Sequence, residues 1–161
     1  MSPVVDIVAE SPLWDAHADL EEIARRAVDA ALAEAKRPYN DEAELAVILA
    51  DDARLKDLNR DWRGKDQPTN VLSFPAAEGD EIATAPLLGD LVLAFETVAI
   101  EAEREGKTFD AHFAHLVVHG TLHLFGFDHM SGEEAEEMET VERLALARLG
   151  IADPYLETEP R

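Results

Sequence analysis

The chain has 161 residues, the size of one domain, because a single hydrophobic core stops growing only beyond roughly 250–300 residues. Its 47% apolar content can build such a core, while 35 Asp and Glu against 14 Lys and Arg leave a formal charge of -21, which excludes a generally basic nucleic-acid binder. It has no cysteine, so disulfides, thiolate nucleophiles and cysteine-containing metal sites are excluded, and any metal must be held by His, Asp or Glu.

The first ten residues carry two acids and no base, unlike the basic start of a secretory signal. A cysteine-free chain suits a reducing cytoplasm, which is the expected location. The one long segment free of Asp, Glu, Lys and Arg, residues 111–127, holds four histidines and two glycines and is barely long enough for a bilayer. It predicts a buried helix, with no membrane span.

In chain order, apolar residues over 4–8 predict a short strand. Leu20, Ile23, Ala24, Ala27, Val28, Ala31 and Leu32 then recur at helical spacing, and Pro38 closes that helix. The aliphatic run 45–49 predicts a buried strand that feeds directly into a helix capped by Asp51 or Asp52 and reaching about Asn59. Turn formers crowd residues 63–70, and a strand resumes over 71–74. The acidic, Ala-rich stretch 75–86 has no period and predicts a mobile loop before a strand over 91–95. Three helices follow. The first runs from Glu96 to Gly106, the second is capped by Asp110 and closed by Gly126 in the left-handed conformation, and the third runs from a Ser131–Glu134 capping box to Gly150. This order predicts a single α+β domain over residues 1–161, with a mixed sheet packed against helices. No repeat, low-complexity tract or linker interrupts it.

The most informative segment is His119-Gly120-Thr121-Leu122-His123-Leu124-Phe125-Gly126-Phe127-Asp128-His129. Residues four apart on a helix share a face, so His119 and His123 can converge on one ion, and Gly126 lets the chain double back so that His129 supplies a third ligand. Three protein ligands leave a fourth position for water. The His and Gly spacing is that of the metzincin proteases, H-E-x-x-H-x-x-G-x-x-H, except that Gly120 stands where their general-base glutamate must be. Taken singly, each histidine reads as a core residue; the triplet with its glycine points to a metal site. His115 falls near the same face and either supports the ligands or faces substrate, whereas His112 reads as a hydrogen-bonded core histidine. Asp128 either orients a ligand imidazole or forms the turn.

Arg54, Lys56, Arg60, Arg63 and Lys65 form a basic island within twelve positions of an acidic chain. It can hold a polyanion by short-range contacts, since screening at physiological salt acts over about 8 Å. The alternative, a solvated helix face with salt bridges, applies most to Arg54 and Lys56. Arg63 and Lys65 fall in the turn-rich loop, where a functional reading is stronger.

These segments together resemble the YbeY family of bacterial metal-dependent endoribonucleases of ribosomal RNA maturation. The resemblance is carried by Arg63-Gly64-Lys65-Asp66, Pro68 to Pro75, Leu88-Gly89-Asp90 and the stretch from His115 to His129, with Glu134-Ala135 and Met138-Glu139 extending it. It runs in register from about Leu58 to Gly150; before Leu58 only the order of elements agrees. It implies one zinc ion per chain on His119, His123 and His129, and a functionally important arginine at Arg63. Arg60, Lys65, Asn70 and His115 are the candidate substrate contacts. Phe127 and Trp62 stand where the family usually has tyrosine, so neither position supplies a phenol hydroxyl.

The function this implies is a single-strand-specific, metal-dependent endoribonuclease acting in late 16S rRNA 3′-end maturation and ribosome quality control, in the cytoplasm. Its partners would be ribosomal RNA and small-subunit proteins or assembly factors. Arg63 would stabilise charge on the phosphorane, and the nucleophile is either water or the RNA's own 2′-hydroxyl. The alternative is a non-catalytic ribosome-assembly factor with a structural metal, whose acidic surface docks basic proteins. A metalloprotease is a distant third.

Overall fold

The computed structural model describes residues 3–128 and 131–152. Its frame is a four-stranded sheet of β1 (Val4–Ala9), β2 (Glu44–Ala50), β3 (Val71–Pro75) and β4 (Leu87–Ala94), in the order β1-β2-β4-β3. β1, β2 and β4 are parallel and β3 lies antiparallel at the edge, so the sheet is mixed as expected. Five helices accompany it: α1 (Leu20–Ala35), α2 (Asp52–Arg63), α3 (Phe95–Arg104), α4 (Phe109–Leu124) and α5 (Gly132–Arg148).

Strand alternation sorts the apolar residues between two faces. Val5, Leu45, Val47, Leu49, Leu91 and Leu93 pack in one core with the buried stripes of α1, α4 and α5. Ala50, Leu72, Val92 and Ala94 meet Leu55 of α2 on the other. The bare polarity of β2 therefore decides little; its period of two decides which helix it touches.

Local chemistry sets most boundaries. Lys36 takes a left-handed φ of 55° and closes α1, its N–H donating to the Leu32 carbonyl, and Pro38 keeps the following Arg37 out of helical geometry. Asp51, not Asp52, caps α2, its carboxylate accepting from the Arg54 N–H at 2.9 Å. Asp52 instead accepts from the Thr97 N–H and hydroxyl at 3.1 and 2.7 Å, while its own N–H donates to Glu96 at 3.0 Å. These bonds clasp together the starts of α2 and α3, which leave the neighbouring strands β2 and β4. Ser131 caps α5 through the Glu134 N–H, as its capping-box spacing predicts.

Several expectations need correction. α2 continues to Arg63 rather than stopping near Asn59, since Gly64 at φ 71° closes it with bonds from its own N–H to Arg60 and from Lys65 to Asn59. Thr108, not Asp110, caps α4. The stretch expected to be a mobile loop holds a 3₁₀ turn over Gly79–Ala83, anchored by buried Ile82, and β4 begins at Leu87, four residues early. Phe95 opens α3 instead of ending a strand. A second 3₁₀ turn, Pro12–Ala16, buries Trp14, whose indole N–H donates to the Ala50 carbonyl at 2.7 Å.

β4 starts early because Leu88 is an extra residue in its register with β2: Glu44 pairs with Leu87 and Leu45 with Gly89. The bulge turns Leu88 into the same core as Leu91 and leaves Gly89 at φ 138°. A Cβ there would lie 2.3 Å from the Phe74 carbonyl oxygen, so only glycine fits. Among the described residues no helix is long and apolar enough to cross a membrane.

Candidate active site

α4 is buried around most of its circumference, with Phe113, Leu116, Val117, Leu122 and Leu124 in the core. His115, His119 and His123 break that burial at intervals of four, forming one half-exposed stripe along the helix. The helix closes where Gly126 takes φ 88° and the Phe127 N–H reaches back to the Leu122 carbonyl at 3.1 Å. Arg37 pins this turn from outside: its guanidinium donates to the Phe125 carbonyl and lies 3.7 Å from the centroid of the Phe127 ring.

His119 and His123 face each other with their Nε2 atoms 3.1 Å apart. Two nitrogens bound at 2.0–2.1 Å to a tetrahedral ion sit about 3.3 Å apart, so this pair fits a shared metal. The other ring nitrogen of His119, Nδ1, lies 2.7 Å from Glu142 Oε1, and His115 Nε2 lies 3.0 Å from Glu142 Oε2. Glu142 projects from α5 and is 1% exposed. His129, the expected third ligand, lies outside the described residues, and among the described residues no set of three metal-ligating side chains is assembled.

A second polar network adjoins the stripe. Buried His112 places Nε2 2.9 Å from Glu101 Oε1, and the Asn70 amide donates to that same oxygen at 3.0 Å. Burial pushes the Glu101 carboxyl up, but the bonds from His112 and Asn70, with the charges of His112 and His115, outweigh it and hold the pKa below its ordinary value. The Asn70 side-chain oxygen Oδ1 accepts from the Val71 N–H at 2.7 Å. Asn70, a candidate substrate contact, thus bonds both to the start of β3 and to Glu101 of α3.

The basic island is largely neutralised. Arg54 pairs with Glu10 at 3.6 Å and Lys56 with Asp66 at 4.0 Å. Arg60 meets Asp61 at 3.1 Å, Asp57 at 3.3 Å and Asp66 at 4.0 Å. Its bond to Asp61 and these charges raise the guanidinium's pKa above the ordinary value. Arg63 and Lys65 are exposed, and no ion pair joins either to another described residue. Arg63 is the last residue of α2 rather than part of the loop. Beside it Trp62 is 71% exposed and leans edge-on against Phe74 at 5.9 Å.

Two of these residues carry no mark in motif reasoning. Glu142 is the acid on an otherwise apolar α5 stripe of Met138, Ala145 and Leu146, and that misfit was its readable signal. Arg37 had none, being 88 residues from the carbonyl it caps.

The family model for endoribonuclease YbeY matches residues 9–150, reaching well upstream of Leu58. A protein of Azorhizobium caulinodans named endoribonuclease YbeY is 55% identical over 151 residues, covering 94% of this chain and 95% of that one. The protein of the same name from Methylocella silvestris is 48% identical over 157 residues, covering 98% and 88%. The solution structure of a Thermotoga maritima protein shares the fold, with a TM-score of 0.55 at 24% identity over 91% of this chain and 92% of that one. A family match over most of the chain, with relatives about half identical along nearly their full length, places it: this chain belongs to the endoribonuclease YbeY family.

Proposed function

We propose that this chain is a zinc-dependent endoribonuclease that cuts single-stranded RNA, with His119, His123 and His129 as metal ligands and Arg63 as the cation at the scissile phosphate. The carrying observation is the 3.1 Å approach of the His119 and His123 Nε2 atoms, with His119 anchored through its other nitrogen on a buried carboxylate. That arrangement supports a bound metal, because ligand imidazoles characteristically donate their second N–H to a carboxylate. Three neutral imidazoles suit zinc, which would supply Lewis-acid chemistry at the site.

RNA as substrate is supported by the relatives' names, and ribosomal RNA, specifically late 16S 3′-end maturation and ribosome quality control in the cytoplasm, by the family resemblance. With a chain charge of -21, RNA must be held by a few local contacts. Arg63 and Lys65 are suited to that because no carboxylate neutralises them among the described residues. The planar Arg63 fork contacts two phosphate oxygens at once.

The acidic surface favours a second reading, an assembly factor that docks basic small-subunit proteins around a structural metal. One experiment separates them. Metal content is measured in wild type and His123→Ala, and both are assayed for single-turnover cleavage of an unstructured RNA. The enzyme reading expects about one zinc per chain and cleavage in wild type, and neither in the variant. Equal metal in both proteins refutes the ligand assignment, and equal cleavage in both refutes the enzyme.

A further inference from the structure

We propose that Glu142 is a positioning residue that holds His119 in the one neutral tautomer able to ligate a metal, and that His115 serves to lock Glu142 rather than to contact RNA. An ionised carboxylate only accepts hydrogen bonds. Its two oxygens each meet one imidazole nitrogen, Oε1 with His119 Nδ1 at 2.7 Å and Oε2 with His115 Nε2 at 3.0 Å. Both bonds form only when His119 carries its proton on Nδ1 and His115 on Nε2. Neutral His119 then has its lone pair on Nε2, the nitrogen that faces His123.

His115 completes the device. With Oε1 alone engaged, the carboxylate could turn about its terminal torsion, which is broad and roughly two-fold. The second bond fixes that plane, and α5 holds the whole group at 1% exposure, where an unsatisfied oxygen would be costly. His115, Glu142 and His119 are thus one chain of bonds across α4 and α5, leading from a histidine off the metal to one on it.

The device is sensitive to a single atom. In Glu142→Gln the side chain offers one accepting oxygen and one donating NH₂ in place of two acceptors. Only one histidine can keep its tautomer; the other must reverse or lose its bond. Removing His115 frees the amide to turn its oxygen towards His119, so the double variant should recover what the single variant loses. A role in shape alone predicts no such recovery, because the double variant removes still more side chain.

The proposal rests on the metal reading for its affinity arm only. The first measurement uses metal-free wild-type protein at about pH 8, above the ordinary imidazole value of about 6.5. Nitrogen-15 NMR of the His119 ring should show the Nδ1–H form, and finding Nε2–H would overturn the proposal. The second is zinc affinity by chelator competition. Glu142→Gln should bind about 10–100-fold more weakly than wild type, as when the outer partner of a ligand histidine is lost. Glu142→Gln with His115→Ala should bind zinc more tightly than Glu142→Gln alone, to within about fivefold of His115→Ala. Unchanged affinity in Glu142→Gln, or no recovery in the double variant, overturns it. If His123→Ala keeps its metal while His119 shows the Nδ1–H form, the metal reading falls and the role of Glu142 in setting the tautomer stands.

Discussion

The Ser73 hydroxyl donates to the Gly120 carbonyl at 3.2 Å, at the point where α4 crosses the edge strand β3. A Cβ on Gly120 would come 2.8 Å from Leu91 Cδ2 and 3.2 Å from that same hydroxyl. The position that carries the general-base glutamate in metzincin proteases is therefore a helix-to-sheet contact here, where any side chain must displace Leu91. Leu91 is itself fully buried, so its side chain can yield only by displacing its packed neighbours. Gly120→Glu should cost about 3 kcal/mol or more, by overpacking and by burying a carboxylate, and should bring no peptidase activity. A thermal melt and a quenched peptide library check both; an unchanged melting temperature would mean that α4 lifts from the sheet without cost.

Gly89 and Gly64 both have positive φ, yet their substitutions should differ. Alanine at Gly64 meets nothing within 4 Å, so only the left-handed backbone counts against it, about 1–2 kcal/mol. At Gly89 the φ of 138° is joined by a clash 2.3 Å from the Phe74 carbonyl, and Gly89→Ala should cost at least about 3 kcal/mol. Urea unfolding of the two variants side by side tests the difference, and equal midpoints would contradict it.

Arg63 and Arg60 lie one turn apart on α2 but differ in what neutralises them. Arg63→Ala should slow RNA cleavage by about a hundredfold or more while leaving metal content and melting temperature unchanged, as expected for a donor that meets charge developing in the transition state. Arg63→Lys should recover part of the rate. Arg60→Ala, already shielded by Asp57, Asp61 and Asp66, should change it by no more than about threefold. Single-turnover kinetics decide the order. Because Trp14 is 2% exposed and Trp62 71% exposed, an RNA-induced change in tryptophan emission reports the Trp62 side of the same contact.

Glu101 makes stability depend on acid pH in a definite direction. Its carboxyl is held below the ordinary value in the folded state. The stability it contributes is therefore complete above the unfolded value of about 4.3 and lost as pH falls through the folded one. The difference in melting temperature between wild type and Glu101→Gln should be largest above about pH 4.5 and shrink at lower pH. A constant difference across that range would show that the carboxylate's charge contributes nothing.

Local signals carried the reading of this chain as far as local forces reach. The aliphatic run of β2, a cap at Asp51 or Asp52, the Ser131–Glu134 box and the left-handed turn at Gly126 each involve atoms within about five residues, and each was legible without a fold. The spacing of His115, His119 and His123 was legible for the same reason, since one helix face is a property of the period alone. Other features depend on which surfaces meet. Glu142 finds His119 from 23 residues away and Arg37 finds Phe125 from 88, because α5 and the end of α1 happen to pack beside α4. The charge of Arg60 was plain in the sequence, but Asp66 comes within reach only because Gly64 turns the chain back. Gly120 looked like a missing base; only the crossing of α4 over β3 and β4 shows that the position has a packing role, since how closely a helix approaches a sheet is set by both partners at once.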